Sequence, residues 1–193
     1  MLRVLAPATA AVMLAGCGIN SVPTAEENAK ARWADVQAAY QRRADLIPNL
    51  VATVKGAARA ENETLTNVIN ARARATQVQV NADDLDDPAK VQAFQQAQGQ
   101  LSSSLGRLLV SVEQYPQLQS QGNFSTLMSQ LEGTENRINI AVRDYNGAVQ
   151  DYNTRIRTFP DAIGARVIHG AKPLTPFQAV TPGAERAPQV DFG

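Results

Sequence analysis

The chain has 193 residues with Lys+Arg and Asp+Glu at 18 each, so no net field selects nucleic acid or an acidic ligand. Aromatics make up 5% of residues, and Ala, Gln, Leu and Val abound, which favours helix packed on helix over a pleated sheet. One cysteine, Cys17, and one histidine, His169, exclude an intramolecular disulfide and a structural zinc site. A Ser-His-Asp triad would take its base from a Gly/Pro-rich stretch without rigid support. Neither a metal nor a cofactor is expected.

Residues 1–16 read as a cleaved export signal: Arg3, an apolar run from Val4 to Leu14, then small residues. The run is shorter than the roughly 20 residues that span a bilayer. It ends in Leu14-Ala15-Gly16-Cys17, which resembles the lipobox of bacterial lipoproteins, where the cysteine receives a diacylglyceryl thioether. The other reading is an ordinary secretory signal that leaves an unpaired thiol in an oxidising compartment, a liability that lipidation removes. Acyl chains of the palmitate kind, two or more together, hold a protein to a membrane stably. Gly18 follows, and the lack of an aspartate there favours the outer membrane, facing the periplasm, if the host is diderm.

Residues 17–23 are read as a lipidated tether and residues 24–167 as a helical bundle. Thr24 offers an N-cap oxygen, with Glu26 and Glu27 in the first turn. A stripe at alternating four- and three-residue steps runs from Trp33 through Gln37, Tyr40, Ala44, Ile47, Val51, Val54, Ala58, Glu61, Leu65, Val68 and Arg72 to Ala75, one face of a long helix. Pro48 interrupts it. The stripe keeps its phase across Pro48, so a kink is favoured over a break; a break there would make four helices of three.

After a turn at residues 81–87, Asp87 is the capping candidate and Pro88 the first residue of a second helix. Its apolar face carries Val91, Phe94, Gln98, Leu101, Leu105, Leu108, Val112 and Tyr115. Pro116 is expected to end it, with a turn at Gly122-Asn123. The third helix repeats most regularly, from Phe124 through Met128, Leu131, Glu135, Ile138, Val142, Tyr145, Val149, Tyr152 and Ile156 to Phe159. Residues 161–167 could make one short turn of helix, and residues 168–193, rich in Gly and Pro, an extended tail. The expected fold is all-α: a long antiparallel, coiled-coil-like bundle of three to four helices, up-down-up, with that tail.

Three stretches stand out: Gln41-Arg42-Arg43-Ala44-Asp45-Leu46-Ile47-Pro48-Asn49-Leu50-Val51, Thr134-Glu135-Asn136-Arg137, and Tyr145-Asn146-Gly147-Ala148-Val149-Gln150-Asp151-Tyr152-Asn153. With Tyr115-Pro116 and Phe159-Pro160 they resemble the bacterial LemA family, over about Ala25 to Phe192. The resemblance implies a largely helical envelope protein anchored at its N-terminus by a helix or by lipid. It implies no enzymatic activity.

Glu61, Arg72 and Glu135 occupy seam positions where apolar residues are expected. An unpaired buried charge costs several kcal/mol, so one reading is an ion-pair network that sets helix register, with Glu135 meeting Arg43 or Arg72. The other makes Glu61 and Glu135 an acid–base pair of a cell-wall hydrolase. Arg42 and Arg43, just before the kink, either satisfy local groups or bind an acidic partner. In the tail, Val190 and Phe192 after Pro188 suit an extended peptide that docks on its own bundle or on a partner. The tyrosines on the stripes read as core, with hydroxyls bonded at the rim. Together these describe a non-enzymatic envelope lipoprotein that acts as a scaffold or adaptor for another envelope protein. An accessory factor to an envelope enzyme, or a purely structural spacer, are the alternatives.

Overall fold

The computed structural model describes residues 2–57 and 62–178, with side chains from Asn20 onward except at 57, 62 and 119. Four long helices form the body: α1 (Leu2–Ala57), α2 (Asn62–Gln77), α3 (Pro88–Val112) and α5 (Gly122–Arg155). Two single turns, α4 (Pro116–Gln119) and α6 (Asp161–Gly164), join a 3-10 turn at Ala82–Asp84 and a π turn at Ala165–His169. No strand occurs among the described residues.

Side-chain contacts fix the directions. Trp33 meets Tyr145 and Arg43 meets Glu135, so α5 runs antiparallel to α1. Arg72 reaches Ala44, so α2 returns along α1. Trp33 meets Phe94 and Arg43 reaches Gln98, which places α3 parallel to α1. The result is an up-down-up-down four-helix bundle.

The fourth helix comes from a fold-back after Ala57, not from Pro48, where α1 continues unbroken. The stripe through Leu65, Val68 and Ala75 therefore belongs to α2, whose buried face packs back on the C-terminal half of α1. A period cannot distinguish one long helix from a hairpin when both arms keep the same phase.

The tether reading of residues 17–23 also changes: these residues are helical. Val22 and Ala25 are buried, in phase with Ala29 and Trp33, so the core face begins earlier than the charged first turn suggested. Thr24 is no cap; its hydroxyl donates 2.7 Å to the carbonyl of Asn20, one turn back inside the helix.

The start of α3 is local chemistry. Asp87 Oδ1 accepts from the backbone N–H of Ala89 at 2.9 Å and of Lys90 at 3.4 Å, with Pro88 in the first turn. The helix ends at Val112, short of Pro116, which opens α4; Gly122 begins α5 and is not a turn residue. Because α5 stops at Arg155, Phe159 falls off its stripe and is 74% exposed. Gly170 takes the left-handed conformation (φ 57°) that closes the π turn, and the N–H of Ala171 donates back to Ala165 at 2.9 Å. From Gly170 to Gln178 the chain has no helical structure.

Two apolar clusters fill the bundle. One, toward the N-terminal end of α1, gathers Trp33, Phe94, Tyr145 and Tyr152; the other gathers Ile47, Leu50, Leu65, Leu101, Leu108 and Phe124. Each large side chain so buried contributes about 1.5–3 kcal/mol.

Candidate functional site

Between the clusters lies a polar layer centred on Arg43, only 3% exposed. Its Nη2 donates to Gln98 Oε1 at 2.9 Å and to the Gln98 carbonyl at 3.2 Å. Its Nη1 donates to Ser102 Oγ at 2.7 Å and to Glu135 Oε2 at 3.3 Å. The guanidinium also sits over the Tyr40 ring, 4.9 Å from its centre. Gln98 in turn donates through Nε2 to the carbonyl of Ala75 at 3.2 Å, so α1, α2, α3 and α5 all meet in this layer. Burial pushes the Tyr40 hydroxyl up to about 12, against the opposing pull of Arg43.

The layer joins Arg43 and Glu135. Glu135 is half exposed, its side chain at 51%, so its carboxylate keeps water while Arg43 does not. Among the described residues, three buried side-chain donors, Ser21 Oγ, Arg43 Nε and Gln95 Nε2, have no hydrogen-bond partner.

Arg72 takes no part in that layer. Its Nε donates to the Ala44 carbonyl at 2.7 Å. Ala44 lies four residues before Pro48, so its carbonyl is the one that the proline, lacking an N–H, leaves without its helical donor.

A second constellation holds residues 171–177. Asn146 Nδ2 donates to the Phe177 carbonyl at 2.8 Å, and the Phe177 N–H donates to Asn146 Oδ1 at 2.7 Å. One heptad on, Asn153 repeats the pair on Leu174, at 2.8 and 2.9 Å. The hydroxyls of Tyr145 and Tyr152 donate to the carbonyls of Thr175 (2.8 Å) and Lys172 (3.1 Å). The two Tyr-Asn pairs, seven residues apart, thus clamp an extended strap by its backbone. The far edge of the strap bonds to the α2–α3 connection, Thr175 N–H to the Leu85 carbonyl at 2.9 Å, and Lys172 pairs with Asp86 at 2.9 Å. Phe177 stacks on Tyr40, ring centres 6.1 Å apart, and Leu174 is buried. Sequence reasoning placed the tyrosines in the core and expected rim partners for their hydroxyls, but missed the asparagines; the signal was the Tyr-Asn spacing of one heptad.

Arg42 is exposed, and with Arg137, Asp35 and Asp144 it borders a shallow groove between α1 and α5 floored by Ala38, Ala39 and Ala141. Cys17 lies within α1. Glu61, Val190 and Phe192 are outside the described residues. Among those described, no cluster of His, Cys, Asp or Glu could hold a metal ion, and no helix is long and apolar enough to cross a membrane.

A family model described as the LemA family matches residues 32–192. Among characterised proteins, the chain is 27% identical over 157 residues to magnetosome protein MamQ 2 of Paramagnetospirillum magneticum, covering 73% of this chain and 58% of that protein. It is 26% identical over 157 residues, with the same coverage, to magnetosome protein MamQ of Magnetospirillum gryphiswaldense. It is 27% identical over 124 residues to Protein LemA of Metamycoplasma hominis, covering 64% of this chain and 52% of that protein. The chain thus spans little more than half the length of these relatives.

Proposed function

The chain belongs to the LemA family, and from that premise we propose that it is a lipid-anchored envelope protein working as a non-enzymatic helical scaffold or adaptor. The observation that carries the reading is Leu14-Ala15-Gly16-Cys17 at the end of a short apolar run. Among the described side chains the first buried one is Val22, five residues after Cys17. Acylation of Cys17 would therefore hold the bundle close against a bilayer, and two or more acyl chains suffice for stable anchoring.

The way the charged side chains are used supports a scaffold. Arg43 is engaged by Gln98, Ser102 and Glu135, and Arg72 by the Ala44 carbonyl. Groups held in this manner set helix register. Arg42 and Arg137, on a rim they share with Asp35 and Asp144, are in no ion pair among the described residues and can meet an acidic group of an envelope partner.

The test is metabolic labelling with a clickable fatty acid, followed by membrane fractionation, of the wild-type chain and Cys17→Ala. The wild type is expected to carry label and sediment with membranes, and the variant to carry no label and sediment far less. Equal sedimentation of the two chains would remove the anchoring account. Charge reversal at Arg42 tests the adaptor role: capture of a crosslinked partner should fall while the melting temperature holds. A fall in melting temperature would make Arg42 structural instead.

A further inference from the structure

Seven large apolar side chains are exposed among the described residues, and four of them fall within residues 159–168: Phe159 (74%), Ile163 (59%), Val167 (79%) and Ile168 (57%). The other three, Ile69, Val110 and Ile140, sit singly on α2, α3 and α5. Isolated exposed apolar residues are ordinary, but a group of this size in one short segment marks an interaction surface.

Its position narrows the partner. The segment follows the end of α5 that lies against the N-terminal part of α1, and both α6 and the π turn pack on α1. This is the end of the bundle from which α1 continues past Val22 toward Cys17 and the apolar run before it. The charges of the segment fit as well. Arg157 and Arg166 are exposed among the apolar residues, while Asp161 is turned to Arg155, 3.9 Å away, and is largely covered. The acids elsewhere at this end are paired with cations: Glu26, Glu27 and Asp83 with Lys30 at 3.0, 3.6 and 3.2 Å, Asp84 with Lys90, Asp86 with Lys172 and Asp151 with Arg155. Exposed apolar side chains with two exposed arginines in the same segment are the composition of a surface that enters the headgroup region of a bilayer.

We propose that residues 157–168 form a membrane-seating foot: Phe159, Ile163, Val167 and Ile168 insert into the lipid interface while Arg157 and Arg166 meet anionic headgroups. The proposal rests on the anchoring of Cys17 only for its orientation. An acyl anchor alone leaves the bundle free to swivel; a second contact beside it fixes the bundle axis and turns the opposite end, with the α4 turn, away from the membrane.

Trp33 is the only tryptophan and is buried, so the emission of an added surface tryptophan is read as the difference from the parent chain. The full chain carrying Val167→Trp, purified from membranes, would be reconstituted into vesicles of three parts zwitterionic to one part anionic phospholipid, with Val110→Trp as the control on α3. The expected result is blue-shifted emission from the residue at 167, quenched by brominated lipid, and unquenched emission at 110. A solvent-like, unquenched signal at 167 in vesicle-bound protein overturns the proposal. A blue shift that grows with protein concentration without vesicles also overturns it, since a second copy would then cover the patch. In the Cys17→Ala chain, residual vesicle binding should weaken tenfold or more when Phe159, Val167 and Ile168 become serine, with unchanged helicity. If Cys17→Ala itself stays as firmly membrane-bound in cells as the wild type, the anchor reading fails on its own, whatever the residue at 167 reports.

Discussion

Arg72 Nε donates 2.7 Å to the carbonyl of Ala44, the acceptor that Pro48 leaves open one turn later in α1. A side chain from the returning helix thus repairs a backbone defect in the first, and ties the fold-back to the proline.

That relationship predicts coupling. Arg72→Met should lower stability by about 1–3 kcal/mol by leaving a shielded carbonyl unpaired. Pro48→Ala restores an N–H four residues after Ala44 and should itself be stabilising, as a proline inside a helix costs about 3 kcal/mol. In that background Arg72→Met should cost under about 1 kcal/mol, because the helix then supplies the donor. Urea unfolding of the four chains measures the cycle; equal costs in both backgrounds would show that Arg72 does not serve the proline.

The Arg43 layer should behave as a buried hydrogen-bond network more than as an ion pair. Glu135→Gln should cost less than about 1 kcal/mol, since the carboxylate is half exposed and screened. Arg43→Ala should cost about 3 kcal/mol or more, through the lost packing and the unpaired Gln98 amide. Similar losses for both in thermal unfolding would instead assign the energy to the charge pair.

Gln95 is buried with its Nε2 unpaired. Gln95→Leu removes a donor that is shielded from water without a partner, and should raise stability by about 1 kcal/mol. Calorimetry of the variant checks this, and a loss would mean that the amide is used in a way that the fold alone does not require.

The strap depends on Asn146 and Asn153. Asn146→Ala with Asn153→Ala removes four hydrogen bonds, a loss of about 2–4 kcal/mol from the local opening energy. Amide exchange at Leu174 and Phe177 should accelerate by about 30-fold to 1000-fold, while exchange in the middle of α3 stays slow. Uniform acceleration would show that the strap opens only with the whole bundle.

The strap should also respond to pH at both extremes. The hydrogen bond from Lys172 holds the Asp86 carboxyl below its usual range. Its folded value is thus lower than the unfolded one, and its contribution is present above about pH 4 and lost as pH falls through the folded value. Burial raises the Tyr145 hydroxyl above its ordinary range; that contribution is whole below about pH 10 and lost on further rise, when the phenol can no longer donate to Thr175. Tyr145→Phe should therefore remove part of the alkaline sensitivity of Trp33 fluorescence, whose ring centre lies 5.1 Å from that of Tyr145. An unchanged alkaline profile would place the sensitivity elsewhere.

What the sequence determined by itself was local. The stripe from Val91 to Val112, the Asp87 cap with Pro88 behind it, and the all-α class follow from spacing and from bonds between near neighbours. The LemA motifs were legible too, although their purpose was not. Tertiary structure alone decided that the first stripe turns back after Ala57, that Arg43 is buried while Arg42 stays outside, that Arg72 answers Pro48, and that the Tyr-Asn pairs grip residues 172–177. The side-chain hydrogen bonds that decide these positions join residues at least 20 apart in the chain. Helical periodicity shows which face is apolar but not what lies against it, so the partner of a polar seam residue emerges only when another helix arrives beside it.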